Sequence, residues 1–390
     1  MTLYLNDLGL LCAAGNSRPE VIKRLLAGDR SGLIATDAFG PTTIVGQINS
    51  ELPEIGLRYR IYNCRNNQLL LAALSQIRAT VNQMIERFGA GRVGVVLGTS
   101  TSGVRNTELA LAYQAEHGAL PEGFHYKQQQ MGAGADFLSE YLGVTGPAYT
   151  ISTACSSSGK AFASARRLIN LELCDAVIVG GADSLCRLTI NGFAALESLS
   201  SGYCKPFGLH RNGINIGEAA SLFVLSKEPG PVALLGIGAS SDAYHFSAPD
   251  PAGTAVIAAM QKALHDAGKR PDEVDYLNLH GTATVLNDAM ESKAVNAVFG
   301  SQTAASSSKG MTGHTLGAAA ALELGFCWLL LTESNHGALI PNINDDEPDT
   351  SLAPLRLVKK GENLGRSIQV CQSNSFAFGG NNLSIVVASA

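Results

Sequence analysis

The sequence alternates short apolar runs with longer segments of helical periodicity. Eight runs rich in small and branched apolar residues lie at 93–98, 148–152, 175–180, 221–225, 232–237, 275–279, 368–371 and 383–387. Helical patterns occupy 67–87, 160–173, 255–267, 289–298 and 316–332. Such runs are typical of buried strands, and their alternation with helices predicts an α/β fold built in layers. The segment 316–332 is apolar almost all round, so we expect it to lie buried between sheets.

Two parts of the sequence echo each other. Segments 97–103 and 279–284 each end an apolar run in a turn of small residues, and the segments around Cys155 and His314 each lead into a small-residue helix. We interpret these echoes as two duplicated halves, 1–230 and 231–390, divided near Pro229-Gly-Pro231. Any α/β chain shows some echoes of this kind, so the alternative of chance similarity stays open.

Composition excludes several classes of protein. A net charge of −5 argues against a general nucleic-acid binder, which usually carries a basic surplus. The eight cysteines include no C-x-x-C pair, which disfavours a zinc or disulfide-exchange site and favours free thiols in a reducing cytoplasm. The N-terminal residues lack a basic start followed by an apolar stretch, and no apolar run is long enough to span a bilayer, so we expect neither a signal peptide nor a membrane span.

Cys155 lies where an extended run meets a helix of small residues. A thiol at a helix N-terminus feels the positive end of the helix dipole, which favours the thiolate and predicts a nucleophile. Composition alone favours a buried, inert cysteine, and we keep that interpretation for the other seven.

Two histidines follow in the second half of the chain. His280 ends an apolar run and is presented by a turn, and His314 follows Lys309 by five residues in a glycine-rich turn before the apolar helix. A lone histidine in such a place is more often structural. Beside a thiolate these three residues would form a catalytic cluster if the fold brings them together, which spacing alone does not establish.

An aromatic pair, Phe376 and Phe378, precedes Gly379 and Gly380 in the segment 374–382. The pattern predicts a mobile loop that carries bulky side chains. The alternative is an ordinary turn before the last strand.

Together these four segments resemble the elongating β-ketoacyl-acyl-carrier-protein synthases of the thiolase superfamily, in order and spacing, over nearly the whole chain. The resemblance implies a five-layered α-β-α-β-α thiolase fold and a dimer with active sites near the subunit interface. It implies two kinds of partner: an acyl carrier protein loaded with acyl or malonyl groups, and a second subunit that is either identical or a related synthase-like chain.

The same resemblance implies the catalytic residues. Cys155 falls on the family's nucleophile, while His280, His314 and Lys309 fall on its two histidines and its lysine. Glu291 matches an acidic residue that is expected to orient Lys309 or a loop.

Further positions are implied to bind the substrate. Phe378 falls on the family's gating residue, and its backbone N–H would form an oxyanion hole with that of Cys155. Thr282, Thr284 and Phe376 are expected to contact the substrate.

The implied reaction is a decarboxylative Claisen condensation. The nucleophile would take an acyl chain from its carrier, a malonyl thioester would lose carbon dioxide, and the resulting carbanion would attack the acyl-enzyme, which extends the chain by two carbons. Neither a metal nor an organic cofactor is expected.

Several positions depart from the family's pattern. Ala377 stands where glycine is usual in the gating loop, and Gly208 and Asn212 replace two aspartates. We interpret these departures as signs of a specialised condensing enzyme that makes a polyene or other secondary acyl product.

Four alternative functions fit the sequence less well. A thiolase would need a second catalytic cysteine in a C-x-G setting, and an initiating synthase would lack the Lys309 and His314 motif. A non-catalytic chain-length subunit would lack Cys155, although an active chain could pair with such a subunit. A serine enzyme is only weakly supported by two S-x-x-K matches.

Docking of an acidic carrier protein requires cationic side chains near the entrance to the site. Arg58, Arg60, Arg65 and Lys205 are candidates. For each one singly, an ordinary solvated charge is the more common role.

Overall fold

The computed structural model describes residues 2–333, 336–345, 347 and 349–390. In these ranges the strands are β1 Leu3–Cys12, β2 Leu33–Thr36, β3 Thr43–Gly46, β4 Val93–Gly98, β5 Ala148–Ile151, β6 Ala176–Asp183, β7 Ile216–Gly217, β8 Ala219–Ser226, β9 Val232–Ser241, β10 Tyr276–Asn278, β11 Ala304–Ser306, β12 Arg356–Leu357, β13 Val370–Ala377 and β14 Asn381–Ser389. The α-helices are α1 Arg18–Leu26, α2 Arg65–Phe88, α3 Val104–His117, α4 Ala133–Leu142, α5 Ser157–Asn170, α6 Arg187–Ala195, α7 Thr254–Ala267, α8 Val285–Phe299, α9 Lys309–Thr312 and α10 Ala319–Thr332.

The main sheet contains the same five-strand arrangement twice, once in each half. Its order is β12-β11-β10-β13-β14-β9-β1-β8-β6-β4-β5. In the first half, β1 and β8 are antiparallel, as are β8 and β6, whereas β6, β4 and β5 are parallel. Strands β9, β14, β13, β10 and β11 repeat the same order and directions in the second half. Antiparallel pairing of β1 with β9 joins the two units.

The predicted break at 229–231 therefore lies between β8 and β9, where the first unit ends and the second begins. The repeated connectivity is what a duplication would produce. The division at residue 230 itself stays a prediction.

Helices cover both outer faces of the sheet units and fill the space between them. Helices α5 and α10 contact strands of both halves and form the central layer. Helices α2 and α4 cover the outer face of the first unit, and α7, with α8 packed on it, covers that of the second. Separate apolar clusters fill the resulting interfaces, which gives five layers in the order α-β-α-β-α.

The central position of α10 confirms the expectation drawn from its composition. Every residue from 319 to 331 is buried, including Glu323. The helix begins later than the sequence pattern indicates, because Leu316–Ala318 forms a separate 3₁₀ turn.

The segment 374–382 differs from the expected loop. Strand β13 extends to Ala377 and β14 starts at Asn381, so that only Phe378–Gly380 forms the turn. Polar residues continue these strands because they satisfy one another: Gln372 and Asn374 both hydrogen-bond to the hydroxyl of Ser384 at 2.7 Å. The alternative of an ordinary turn is the correct one.

Candidate active site

Cys155 is placed by a tight connection between β5 and α5. Ala154 has a φ of 51°, an unusual conformation for a residue with a β-carbon. The Oγ atom of Ser157 accepts a hydrogen bond from the backbone N–H of Thr153 at 2.9 Å and closes the turn. This geometry points Cys155 toward the central layer, where it is 5% exposed.

His280 is held through its backbone at the end of β10. Both carboxylate oxygens of Glu291 accept hydrogen bonds at 2.7 Å, one from the N–H of His280 and one from that of Gly281. Gly281 has a φ of 36°, and a β-carbon there would lie 2.4 Å from that of Ser307, so the turn requires glycine.

His314 belongs to the second half in sequence, but the first half holds its backbone. Its N–H donates to the carbonyl of Asn215 at 2.7 Å, and its carbonyl accepts from the N–H of Gly217 at 2.9 Å. The Nε2 atom of His314 lies 3.0 Å from the sulfur of Cys155.

The three predicted side chains meet in one buried cluster. The ligand atoms of Cys155, His280 and His314 all lie within 4.8 Å of one another. The two imidazole rings are 5.4 Å apart at an interplanar angle of 85°, and the ring of Phe376 lies 6.1 Å from that of His280.

Lys309 has a different partner from the one suggested by the sequence. Its Nζ atom forms an ion pair with Glu323, whose carboxylate enters from α10, and donates to the carbonyl of His280 at 2.6 Å. The expectation that Glu291 orients Lys309 is therefore wrong. Its other form, that Glu291 orients a loop, agrees with the contacts to the turn at 280–281.

Burial controls the protonation of the cluster. Desolvation raises the pKa of Cys155 to about 11, while the charge of Lys309 and the backbone N–H groups of Phe378 and Cys155 lower it. The net direction is opposite to the one expected from the helix terminus, so the resting side chain is a thiol. Desolvation, followed by the charge of Lys309, lowers the pKa of both histidines well below the ordinary value, so both imidazoles are neutral near pH 7.

One thiol and two imidazoles are also a donor set that zinc accepts. Ordinary zinc–sulfur and zinc–nitrogen bonds in tetrahedral geometry would put sulfur and nitrogen about 3.6 Å apart. The 3.0 Å between Sγ of Cys155 and Nε2 of His314 fits a hydrogen bond better than shared coordination.

A cavity of about 330 Å³ opens onto the cluster. The residues expected to bind the substrate all line it, namely Thr282, Thr284, Phe376 and Phe378. The hydroxyls of Thr282 and Thr284 are 2.9 Å apart, and the ring of Phe378 lies 5.6 Å from that of Phe193.

The departures from the family's pattern are accommodated locally. Ala377 adopts φ −91° and ψ 151°, an extended conformation open to any residue, so its β-carbon imposes no strain here. The carbonyl of Gly208 accepts a hydrogen bond from Arg211, which also pairs with Asp349 at 2.5 Å. Asn212 lines the cavity and accepts a hydrogen bond from Ser200 at 2.7 Å.

Sequence reasoning missed two residues of the site. Glu323 is the carboxylate that neutralises Lys309, and a single acidic residue inside an otherwise apolar helix was the available signal. Phe193, on α6, contacts the ring of Phe378, but nothing in its local sequence sets it apart from an ordinary core residue.

The cationic candidates for carrier docking fall into two groups. Arg65 forms an ion pair with the buried carboxylate of Glu218 at 2.5 Å, and Lys205 lies 3.7 Å from Asp345. Arg58 and Arg60 are exposed in the turn Leu57–Tyr62.

In the described ranges, no helix combines the length and the apolarity needed to cross a lipid bilayer.

The comparisons with known proteins agree with this fold. Residues 63–229 match the beta-ketoacyl synthase N-terminal domain and residues 232–345 match the corresponding C-terminal domain. Nodulation protein E of Rhizobium leguminosarum bv. trifolii is 33% identical, with 97% of each chain covered. The 3-oxoacyl-[acyl-carrier-protein] synthase 2 of Coxiella burnetii is 30% identical, with 99% of this chain and 98% of the relative covered.

A solved complex is closer still. A chain in the structure of the ketosynthase ApeO with its chain length factor ApeC, from Xenorhabdus doucetiae, is 45% identical with a TM-score of 0.95 over 100% of this chain and 98% of that one. The architecture is thus the thiolase fold of the condensing acyltransferases. Within that class, the chain belongs to the β-ketoacyl synthase family.

Proposed function

We propose that this chain is a 3-oxoacyl-[acyl-carrier-protein] synthase that condenses a cysteine-bound acyl group with malonyl-[acyl-carrier-protein]. The observation that carries the proposal is the cluster of one thiol and two neutral imidazoles that line the cavity. The function of the Coxiella relative supports the same reaction.

Acyl transfer comes first. The sulfur of Cys155 attacks the thioester carbonyl of the acyl carrier, while Nε2 of His314 takes the thiol proton and returns it to the departing carrier thiol. The backbone N–H groups of Cys155 and Phe378, both of which act on the sulfur, donate to the developing oxyanion. Each such donor contributes about 3 kcal/mol.

Decarboxylation follows on the malonyl thioester. Breaking the bond to the carboxylate releases carbon dioxide and leaves the electron pair on an enolate, whose negative charge lies largely on the thioester oxygen. Neutral His280 and His314 donate hydrogen bonds to that oxygen, for which His314 adopts the tautomer with its proton on Nε2 once the carrier thiol has left. Lys309 acts indirectly, because it holds the carbonyl of His280 and favours negative charge nearby.

Condensation completes the cycle. The carbanion forms a carbon–carbon bond with the carbonyl carbon of the acyl thioester on Cys155, the carbon–sulfur bond breaks, and the departing thiolate takes a proton from solvent. The product is a β-ketoacyl carrier two carbons longer. These steps run through side chains and backbone groups of the chain itself.

Three further parts of the proposal concern context. The chain forms a dimer with a second synthase-like chain, as ApeO does with its chain length factor, and makes a specialised acyl product. Exposed Arg58 and Arg60 attract the acidic carrier protein. The enzyme acts in the cytoplasm, where its eight cysteines, all free in the structure, stay reduced.

A condensation assay with defined acyl and malonyl carriers, with products identified by mass, tests the chemistry. We expect Cys155→Ala to abolish the product and the acyl-enzyme adduct, and Cys174→Ala, a buried cysteine remote from the cavity, to retain both. His280→Ala and His314→Ala should each lower the rate of malonyl decarboxylation by about 10²–10³-fold. Normal condensation by either histidine variant would contradict the assigned roles.

A further inference from the structure

Asp183 is a buried carboxylate that none of the reaction steps uses. It ends β6, is 0% exposed and does not line the cavity. Among the described residues it belongs to no ion pair. A buried carboxylate without a cation beside it needs hydrogen-bond donors instead. Two loops, one from each half of the chain, supply these donors.

The first loop follows β4. The Oδ1 atom of Asp183 accepts hydrogen bonds from the hydroxyls of Thr99 at 2.6 Å and Thr101 at 2.9 Å. It also accepts from the backbone N–H groups of Ser100 and Thr101, each at 2.8 Å. This loop lies against the turn that carries the nucleophile, because Oγ of Ser100 is 3.5 Å from the carbonyl oxygen of Ala154.

The second loop follows His314 in the other half. The N–H of Gly317 donates to Oδ2 of Asp183 at 2.6 Å, and Oδ2 accepts a longer bond from Ser100 at 3.1 Å. A β-carbon on Gly317 would lie 2.8 Å from Oδ2, so this close approach requires glycine. Leu316 has a φ of 51°, a conformation that persists only where neighbouring contacts hold the backbone. Asp183 supplies such a contact directly after it.

The donors around Asp183 match an ionised carboxylate. Its backbone N–H partners can only donate, and they occupy both oxygens. Desolvation raises the pKa of Asp183, whereas the hydroxyl and N–H donors lower it. In Asp183→Asn the amide oxygen would take the place of Oδ1, where most of the donors converge. The amide nitrogen would then face the N–H of Gly317, donor against donor, so the substitution breaks the tie to the second half.

We propose that Asp183 is a positioning residue that holds the turn after His314 against the turn of Cys155 and so keeps Nε2 within proton-transfer distance of the sulfur. The hydrogen bonds to 215 and 217 fix the peptide groups of His314 itself, whereas Asp183 fixes the backbone that follows it. The separation of 3.0 Å between Sγ and Nε2 depends on both. This role of Asp183 rests on the proposed function for the reaction steps that use that distance.

The two chemical steps should respond differently to a displaced His314. Acyl loading transfers the proton of Cys155 to Nε2, and the protein fixes both of those atoms. In decarboxylation the thioester oxygen arrives with the substrate and can follow the imidazole. Loss of the contact to Asp183 should therefore slow acyl loading by about 10–10²-fold and decarboxylation by a smaller factor.

Two rates measured on Asp183→Asn test this role. Intact-protein mass spectrometry gives the rate of acyl loading, and release of carbon dioxide from the malonyl carrier alone gives the rate of decarboxylation. We expect the ratio of loading to decarboxylation to fall. The matched control Asp275→Asn alters another buried aspartate, which accepts backbone N–H groups at 2.7 and 3.1 Å and lies outside the cavity. It should lower the melting temperature and leave the ratio unchanged.

Alkylation of Cys155 by iodoacetamide gives a measurement without turnover, with peptide mapping to distinguish it from the other seven cysteines. In wild type His314 takes the thiol proton, so alkylation should proceed near neutral pH. In His314→Ala it should require a higher pH, because burial raises the pKa of the thiol to about 11. The pH profile of Asp183→Asn should move toward that of His314→Ala, and the profile of Asp275→Asn should match wild type.

Gly317→Ala perturbs the same contact from the other half, so it decides the question if Asp183→Asn does not fold. Where both fold, the double variant should load no more slowly than the slower single variant, because one contact carries both effects.

Three results would overturn this role of Asp183. The first is a folded Asp183→Asn or Gly317→Ala variant that loads and alkylates as wild type does. The second is an equal loss of the loading and decarboxylation rates. The third is the same change in Asp275→Asn. Absence of condensation by wild type, together with the expected alkylation profiles, would count against the proposed function alone.

Discussion

The ion pair between Lys309 and Glu323 gives the sharpest test of how the site is built. Their side chains are 1% and 3% exposed, and Lys309 also donates to the carbonyl of His280. In Glu323→Gln the ammonium group of Lys309 stays buried but no longer has a negative charge beside it. Removal of one partner of a buried pair costs about 3–5 kcal/mol. We expect Glu323→Gln to lower the free energy of unfolding by about 3 kcal/mol, since the new amide oxygen still accepts one hydrogen bond from Nζ of Lys309.

Urea unfolding measures this change. The single tryptophan of the sequence, Trp328, is buried in the same helix as Glu323, so its fluorescence reports on the perturbed region. The matched control is Glu333→Gln, which removes an exposed carboxylate just beyond the end of that helix. The control should unfold as wild type does.

A double variant separates charge pairing from packing. Lys309→Met/Glu323→Leu removes both charges, and apolar replacement of a whole buried pair is often neutral or stabilising. We expect it to recover the stability lost in Glu323→Gln but not the condensation activity, because His280 loses its backbone contact. A single variant as stable as wild type would refute the reasoning.

Three further predictions concern the buried acid Glu291, the close backbone contact at Gly98 and the buried hydrogen-bond acceptor Asp183. Burial raises the pKa of Glu291 to about 8, so this group stabilises the folded state below its ordinary pKa of 4.5, and the contribution is lost as pH rises through about 8. Between about pH 6 and about pH 9, wild type should therefore lose more unfolding free energy than Glu291→Gln. Gly98→Ala would place a β-carbon 2.1 Å from the backbone nitrogen of Ser158, so unfolding and condensation assays should show losses of both stability and activity. The control Gly192→Ala places a β-carbon with no other atom within 4 Å and should lose neither. Asp183 accepts hydrogen bonds from loops of both halves, so Asp183→Asn should lower the melting temperature, measured by calorimetry, and slow condensation.

Sequence reasoning predicted the parts of the fold whose patterns are local. Most of the apolar runs became buried strands, although β5 is only half-buried, and the uniform apolarity of 316–332 correctly placed α10 between the sheets. The segment 374–382 was predicted less well, because its Asn and Ser residues are typical of loops. Partners on the neighbouring strand satisfy them instead, and a single sequence does not show those partners.

The candidate site was also predicted only in part. Their turns made Cys155, His280 and His314 candidates, the family resemblance implied their roles, and the fold brings the three side chains together. The partner of Lys309 was not predicted, because Glu323 reaches it from a helix whose other residues gave no sign of facing the site. The protonation of the thiol was not predicted either, since desolvation by burial raises the pKa of Cys155 more than Lys309 and the backbone N–H groups lower it.

The imidazoles of His280 and His314 are held by different halves of the chain. A backbone hydrogen bond donated to residue 215 and another accepted from residue 217 hold His314 to the half that carries the sulfur, whereas His280 follows the end of β10 in the other half. A small sliding of one half against the other would therefore leave the sulfur and His314 in register and change the distance from His280 to both. Fluctuations between the halves should then modulate enolate formation more strongly than acyl loading.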